Sequence, residues 1–195
     1  MIGEGCDRPE DSCLIFGMAA DFYVKNGYGR PADKQEILEV LQSANRHGLV
    51  LQPGNSQTVS NICCCCGCCC GVLRTLKTLP KPVDWVSSPF IVKVDSQSCT
   101  GCEICLDRCQ MDALGLKDGL VSLDSDHCIG CGLCVSTCPA GALRLVRKPA
   151  SDQPKVPRNG VLSAIEHGRA RGKLSVAEIA KMQIKSKVDR LLAPK

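Results

Sequence analysis

Two stretches of this chain are one pattern written twice. Cys99 opens C-T-G-C-E-I-C-L-D-R-C-Q, and Cys128, 29 residues later, opens C-I-G-C-G-L-C-V-S-T-C-P. Four thiols align in each block: Cys99 with Cys128, Cys102 with Cys131, Cys105 with Cys134 and Cys109 with Cys138. These eight positions restrict the fold more than any apolar pattern can. Aromatic residues are only 3% of the chain, and the hydrophobic 44% includes 17 cysteines. A core this thin is commonly supplemented by disulfides or metal. An odd number of thiols cannot all pair as cystines. No stretch approaches the roughly 20 apolar residues of a membrane helix. The acidic start MIGEGCDRPED has neither the basic end nor the apolar run of a signal peptide. A cytoplasmic protein is expected, and in a reducing compartment clustered cysteines are metal ligands more often than cystines.

The spacing has a physical reason. A cubane [4Fe–4S] cluster takes four thiolates at the corners of a tetrahedron. Two-residue gaps let one loop wrap three irons, with Gly101, Gly130 and Gly132 allowing backbone N–H groups to turn toward the sulfides. The fourth cysteine lies past the loop, at the start of a helical turn that points away, and so reaches the cluster of the other block. Two clusters follow: one on Cys99, Cys102, Cys105 and Cys138, the other on Cys128, Cys131, Cys134 and Cys109. Ligation crossed in this way makes metal loading and folding one event.

The flanks agree. F-I-V-K-V before Cys99 alternates like a strand. Asp118-Gly119 stands between two apolar runs, a strong hairpin signal. A-L-R-L-V closes the second half as A-L-G-L closes the first. The expected class is α+β: a βαβ-βαβ dicluster domain with pseudo-twofold symmetry, a helical segment before it and a helical tail after it. Residues 90–146 resemble the two-[4Fe–4S] ferredoxins of bacterial type, whose signature is this cysteine run followed by proline. That resemblance implies the ferredoxin fold and one-electron transfer with redox partner proteins. It covers under a third of the chain. Gln110 departs from it, standing where the second block has Pro139. Proline is no ligand, so the departure leaves ligation intact and bears on packing or potential. The longer stretch from CLIFGMAADFYVKNGYGR through NICCCCGCCCGVLR is similar to a group of uncharacterised iron–sulfur proteins of anaerobic bacteria. Other members of that group carry further cysteine-containing sequence upstream, which implies that this chain is a short or truncated member.

Four segments are expected: 1–60, helical; 61–89, a cysteine tract and Pro-rich connector; 90–146, the repeat; and 147–195, a linker and basic helix. In the first, Cys13 to Asn26 reads as a helix stopped by Gly27. A second helix is capped by Asp33, with Glu36 reaching back and Ile37, Leu38, Leu41 and Ala44 on one face. The tail helix is capped by Ser175 and Glu178, with Ala180, Ile184, Val188 and Leu191 as its stripe. Charge is segregated: residues 1–98 carry −1, residues 99–146 carry −3 and residues 147–195 carry +8.

The tract, with seven thiols in residues 63–70, admits three readings. Cys63, Cys66 and Cys69, with Cys6 or Cys13 as a fourth ligand, hold a third iron–sulfur cluster. Alternatively a few thiols hold zinc and the rest fill space, or the tract is a redox buffer or an acylated membrane patch. A run this dense satisfies almost any spacing rule. His127, beside Cys128, is read as solvated or locally bonded rather than as a donor to a cluster sulfide, His47 and His167 as ordinary helix-end residues, and Trp85 as an anchor of the connector. No P-loop, nucleophile elbow or zinc-protease pattern occurs, and G-Y-G lacks the strand–helix context of a dinucleotide site. The best-supported function is an electron carrier, or an electron-transfer subunit of an oxidoreductase. A catalytic iron–sulfur protein whose tract holds a special cluster is the alternative. Nucleic-acid binding by the +8 tail is disfavoured, because the aromatic interleaving of such surfaces is absent.

Overall fold

The computed structural model describes residues 6–10, 12–173 and 175–192. It is mixed helix and strand, divided into two compact units. One runs to Gly54 and resumes from Val59 to Lys155; the other comprises Asn55–Thr58 and the chain from Val156 onward.

The first unit begins with β1 (Cys13–Ile15), α1 (Met18–Lys25), α2 (Lys34–Arg46) and β2 (Val50–Pro53). The single helix expected from Cys13 to Asn26 is therefore a strand followed by a shorter helix. The Asp33 carboxylate caps α2, accepting from the Glu36 backbone N–H at 2.8 Å. The Glu36 side chain does not reach back as a capping box requires; it pairs with Arg30 instead. Asp33→Ala is expected to cost about 1 kcal/mol, read as a lower urea midpoint. Of the expected α2 stripe, Ala44 is buried and Leu41 packs beside it, while Leu38 stays exposed.

The cysteine tract is not a loop. Asn61–Cys65 forms β3, the central strand of an antiparallel sheet ordered β1-β3-β2. Cys13 stands opposite Cys63, and Val50, Leu51 and Gln52 stand opposite Cys65, Cys64 and Cys63. A turn at Cys66–Cys70 leads into α3 (Gly71–Lys77), whose Leu73 and Leu76 are buried. The connector carries a 3₁₀ turn at Pro82–Trp85 rather than extended chain throughout. Pro82 is its buried anchor; Trp85 is 73% exposed and anchors nothing by burial.

The repeat follows as β4 (Phe90–Val94), α4 (Ile104–Arg108), β5 (Leu114–Lys117), β6 (Leu120–Leu123) and β7 (Leu143–Arg147). β5 and β6 form a hairpin through Asp118 and Gly119, both at positive φ (53° and 77°), as a type I′ turn needs. β4 pairs antiparallel with β7, so the two ends of the repeat close on each other. The α element expected in both halves is helical only in the first. Leu133–Thr137, which match α4 at the 29-residue offset, form turns.

Matched hydrogen bonds cross between the halves. The Asp95 N–H donates to the Ala142 carbonyl (2.8 Å), and the Asp124 N–H, 29 residues on, donates to the Ala113 carbonyl (2.9 Å). Each aspartate then accepts from the turn entering its first cysteine: Asp95 Oδ1 from the Gln97 N–H, Asp124 Oδ1 from the Asp126 N–H.

In the second unit, Asn55–Thr58 lies along Val156–Arg158, with the Gln57 N–H on the Pro157 carbonyl at 2.8 Å. It continues as α5 (Gly160–Ala170), capped by Asn159, and α6 (Val176–Leu192). Helix α6 begins in a capping box: the Ser175 N–H donates to Glu178 Oε2, and the Glu178 N–H donates to Ser175 Oγ. Among the described residues, no helix is long and apolar enough to cross a membrane.

Candidate metal centres

Cys99 and Cys102 sit on the loop between β4 and α4, Cys105 lies in the first turn of α4, and Cys138 lies after the turns of the second block. All four line one cavity. Cys128, Cys131 and Cys134 sit on the loop after β6, and line a second cavity together with Cys109 from the end of α4. The two cavities hold nearly equal atom-free space, about 350 and 340 Å³ with the open mouths counted. Their walls match at the repeat offset. Val121, Ala142 and Leu143 from the second half wall the first cavity; Val92, Ala113 and Leu114 from the first half wall the second. Each half thus contributes three thiols to its own cavity, and to the other one thiol and a set of apolar residues that includes these three matched positions.

Glycine is required in both loops, for a reason beyond turning N–H groups. Gly130 has φ 67°, and a Cβ there would stand 2.2 Å from the Phe90 carbonyl oxygen. At Gly101, also φ 67°, it would stand 2.4 Å from the Gly119 carbonyl oxygen. Backbone passes where a side chain would be.

Electrostatics report how closely the thiols gather. Burial, and then repulsion from Cys138, Cys102 and Cys99, push the Cys105 thiol up. Burial pushes Cys134 up to about 12, with Cys131, Cys109 and Cys128 adding to it. Cys99 moves the other way, its thiolate stabilised by the backbone N–H groups of Val121 and Gly101. The Ala113 N–H donates to Cys109 Sγ at 3.3 Å. Four mutually repelling thiolates gathered round one cavity are stable only around cations, and metal binding takes their protons away. The donor set and the apolar walls fit an iron–sulfur cluster in each cavity. His127 is locally bonded, with Nδ1 2.8 Å from Asp124 Oδ2.

Residues 121–144 match the family model of a 4Fe-4S binding domain. The match spans Cys128, Cys131, Cys134 and Cys138, so the chain carries an iron–sulfur segment of ferredoxin type with at least one 4Fe-4S cluster. Comparison with curated proteins found no match.

The tract thiols divide into separate groups. Cys63 lies with Cys13, whose thiol is pushed up by burial and by the Cys63 charge. Cys65 is pushed up to about 12 by burial and by its contact with Cys70. Cys66, Cys68 and Cys69 come together with Cys6, their four sulfurs all within 4.8 Å of one another. The Cys63–Cys66–Cys69 set expected from spacing is therefore not the set that the fold gathers: Cys63 is held in β3, and Cys68 takes its place. Cys6, rather than Cys13, is the fourth member. Burial opposes ionisation of Cys66, but hydrogen bonds from the Cys68 thiol, from the Cys69 N–H and thiol, and from Cys6 outweigh it. They bring Cys66 down to about 7.

Gln110 joins this group to the repeat. It is buried, and its Oε1 accepts from the Gly67 N–H at 2.7 Å and from Arg8 Nη1 at 2.9 Å. A Cβ on Gly67 would stand 2.4 Å from the Gln110 carbonyl oxygen. The residue that replaces proline in the first block thus pins both the tract turn and the Cys6 arm beside Cys109. Gln110→Leu strands the buried Gly67 N–H and takes from the charged Arg8 one of its acceptors. The expected loss is about 1–3 kcal/mol, measured by denaturation of the anaerobically loaded chain, with the second-block cluster still bound.

Proposed function

We propose that this protein is a one-electron carrier, or an electron-transfer subunit, built around a dicluster module at residues 90–146. Cys99, Cys102, Cys105 and Cys138 hold one [4Fe–4S] cluster, and Cys109, Cys128, Cys131 and Cys134 hold the other. When bound, such clusters supply reversible single-electron chemistry, at potentials set by cluster type, hydrogen bonds to sulfur and exposure to solvent. The observation that carries this reading is the exchange of one thiol between two matched cavities. It is what a pair of interlocked clusters needs, and no mononuclear site needs it.

The chain's own residues set the conditions. Val92, Ala113 and Leu114 on one side, and Val121, Ala142 and Leu143 on the other, keep water from the sulfurs. The N–H groups of Val121 and Gly101 favour the charged thiolate of Cys99, and the Ala113 N–H donates to Cys109 Sγ. Cys102 and Cys131, equivalent positions, are the exposed members of their sets. They mark the faces at which a redox partner comes nearest.

Anaerobic purification followed by iron and sulfide analysis tests the proposal. Two cubanes give about 8 iron and about 8 sulfide per chain, with paramagnetic signals that appear on reduction and vanish on reoxidation. A content near half those values, or clusters with no accessible reduced state, contradicts it.

A further inference from the structure

The geometry points to a site of a different kind in the tract: a single zinc ion bound by Cys6, Cys66, Cys68 and Cys69. Around one tetrahedral ion with metal–sulfur bonds of about 2.3 Å, the sulfurs stand about 3.8 Å apart. The Cys6–Cys66 and Cys68–Cys69 sulfur pairs are each 3.8 Å apart, and no pair in the group exceeds 4.8 Å. Thiolates of a cubane each hold a different iron, with sulfides between, and stand farther apart than thiolates on one ion. Among the described residues, this is the one group of three or more metal-ligating side chains gathered so tightly. The thiols of the repeat surround cavities instead.

The surroundings suit a closed structural site. Cys66 and Cys69 are each 6% exposed and pack with Ala44, Leu49 and Cys64. The turn that presents three of the ligands is closed by the Cys70 N–H on the Cys66 carbonyl (3.2 Å) and by the Gly67 N–H on Gln110. The fourth ligand arrives on an arm fixed by Arg8, which donates to Gln110 Oε1 and to the Gly48 carbonyl. Arg8 also brings positive charge to the neighbourhood of a tetrathiolate. Four soft donors with no open position are the ligand set of structural zinc, and zinc outcompetes ferrous iron at a common donor set. The ion ties residue 6 to the strand–turn–helix that carries the tract. It performs no redox step.

This inference is independent of the two clusters, and sulfide read on the same samples keeps the two apart. The full chain is purified anaerobically and compared with a variant carrying Cys6→Ser, Cys66→Ser, Cys68→Ser and Cys69→Ser. The expected result is loss of one zinc per chain, with iron, sulfide and cluster signals unchanged. A control carrying Cys13→Ser and Cys63→Ser keeps its zinc. A quadruple variant that retains zinc, or loses iron instead, overturns the site, as does a control that loses zinc. Should the quadruple variant not fold, X-ray absorption at the zinc edge of the unaltered chain decides. Four sulfurs at about 2.3 Å support the site; nitrogen or oxygen ligands, or no zinc, overturn it.

Discussion

Cys138→Ala is expected to strip the chain of about half its iron and sulfide, about 4 of about 8 of each. The cluster lost is the one wrapped by the other block. Cys138 belongs by sequence to the second repeat, yet it lines the cavity of Cys99, Cys102 and Cys105. Cys109→Ala is expected to act in the converse sense, because Cys109 lines the cavity of Cys128, Cys131 and Cys134. With the proposed ligation each cluster spans both halves, so its binding free energy is also folding free energy for the β4–β7 and β5–β6 pairs that hold the halves together. The variants should therefore unfold at lower denaturant than the intact chain, and should lose their remaining cluster sooner in air. Iron and sulfide analysis, with EPR of the reduced protein, reads both effects. Loss of all iron from either single variant would mean that the clusters cannot be held separately.

The second large effect is expected from one methyl group. Gly130→Ala places a carbon 2.2 Å from the Phe90 carbonyl oxygen and 2.8 Å from Ser88 Oγ, at φ 67°. The left-handed backbone costs an L residue about 1–2 kcal/mol, and forcing β4 aside adds about 1–3 kcal/mol. The displaced strand supplies Val92 to the second cavity, so cluster retention should fall along with stability. Gly132→Ala is the internal control. Its φ is 79°, but its nearest neighbour is the flexible end of Leu145 at 3.4 Å, so only the backbone cost of about 1–2 kcal/mol remains. Denaturation of the two loaded variants side by side tests this. Equal losses would mean that the Phe90 contact is not what requires glycine.

The repeat was legible because ligand spacing is a chemical constraint that sequence states openly. More of it was there to read. Asp95 and Asp124, Ala113 and Ala142, and Val92 and Val121 recur at the same 29-residue offset, and they prove to be the turn caps, crossed hydrogen bonds and cavity walls. The Ala113–Ala142 match is part of the A-L closing pattern, whereas the Asp and Val matches lie outside both the cysteine blocks and that pattern. The tract was opaque for the opposite reason. Seven thiols in eight positions have no polar–apolar alternation, so β3 carries no period-two signal. Its partner β1 hides at the head of a run whose later residues are helical. The choice of Cys68 over Cys63 is made by the turn at Cys66–Cys70, and no spacing rule reports a turn. Gln110 was visible as a departure from the repeat, but its partners, Gly67 and Arg8, lie 43 and 102 residues away. Helix α5 followed a Pro-rich linker and was passed over with it, although Asn159 before V-L-S-A-I is an ordinary cap signal.

Crossed ligation is tested most directly by iron content in two double variants. Cys102→Ala with Cys138→Ala removes two ligands of one cluster and should leave about 4 iron; Cys131→Ala with Cys138→Ala removes one ligand from each and should leave almost none. The reverse ranking would show that each block closes its own cluster, and would contradict the account.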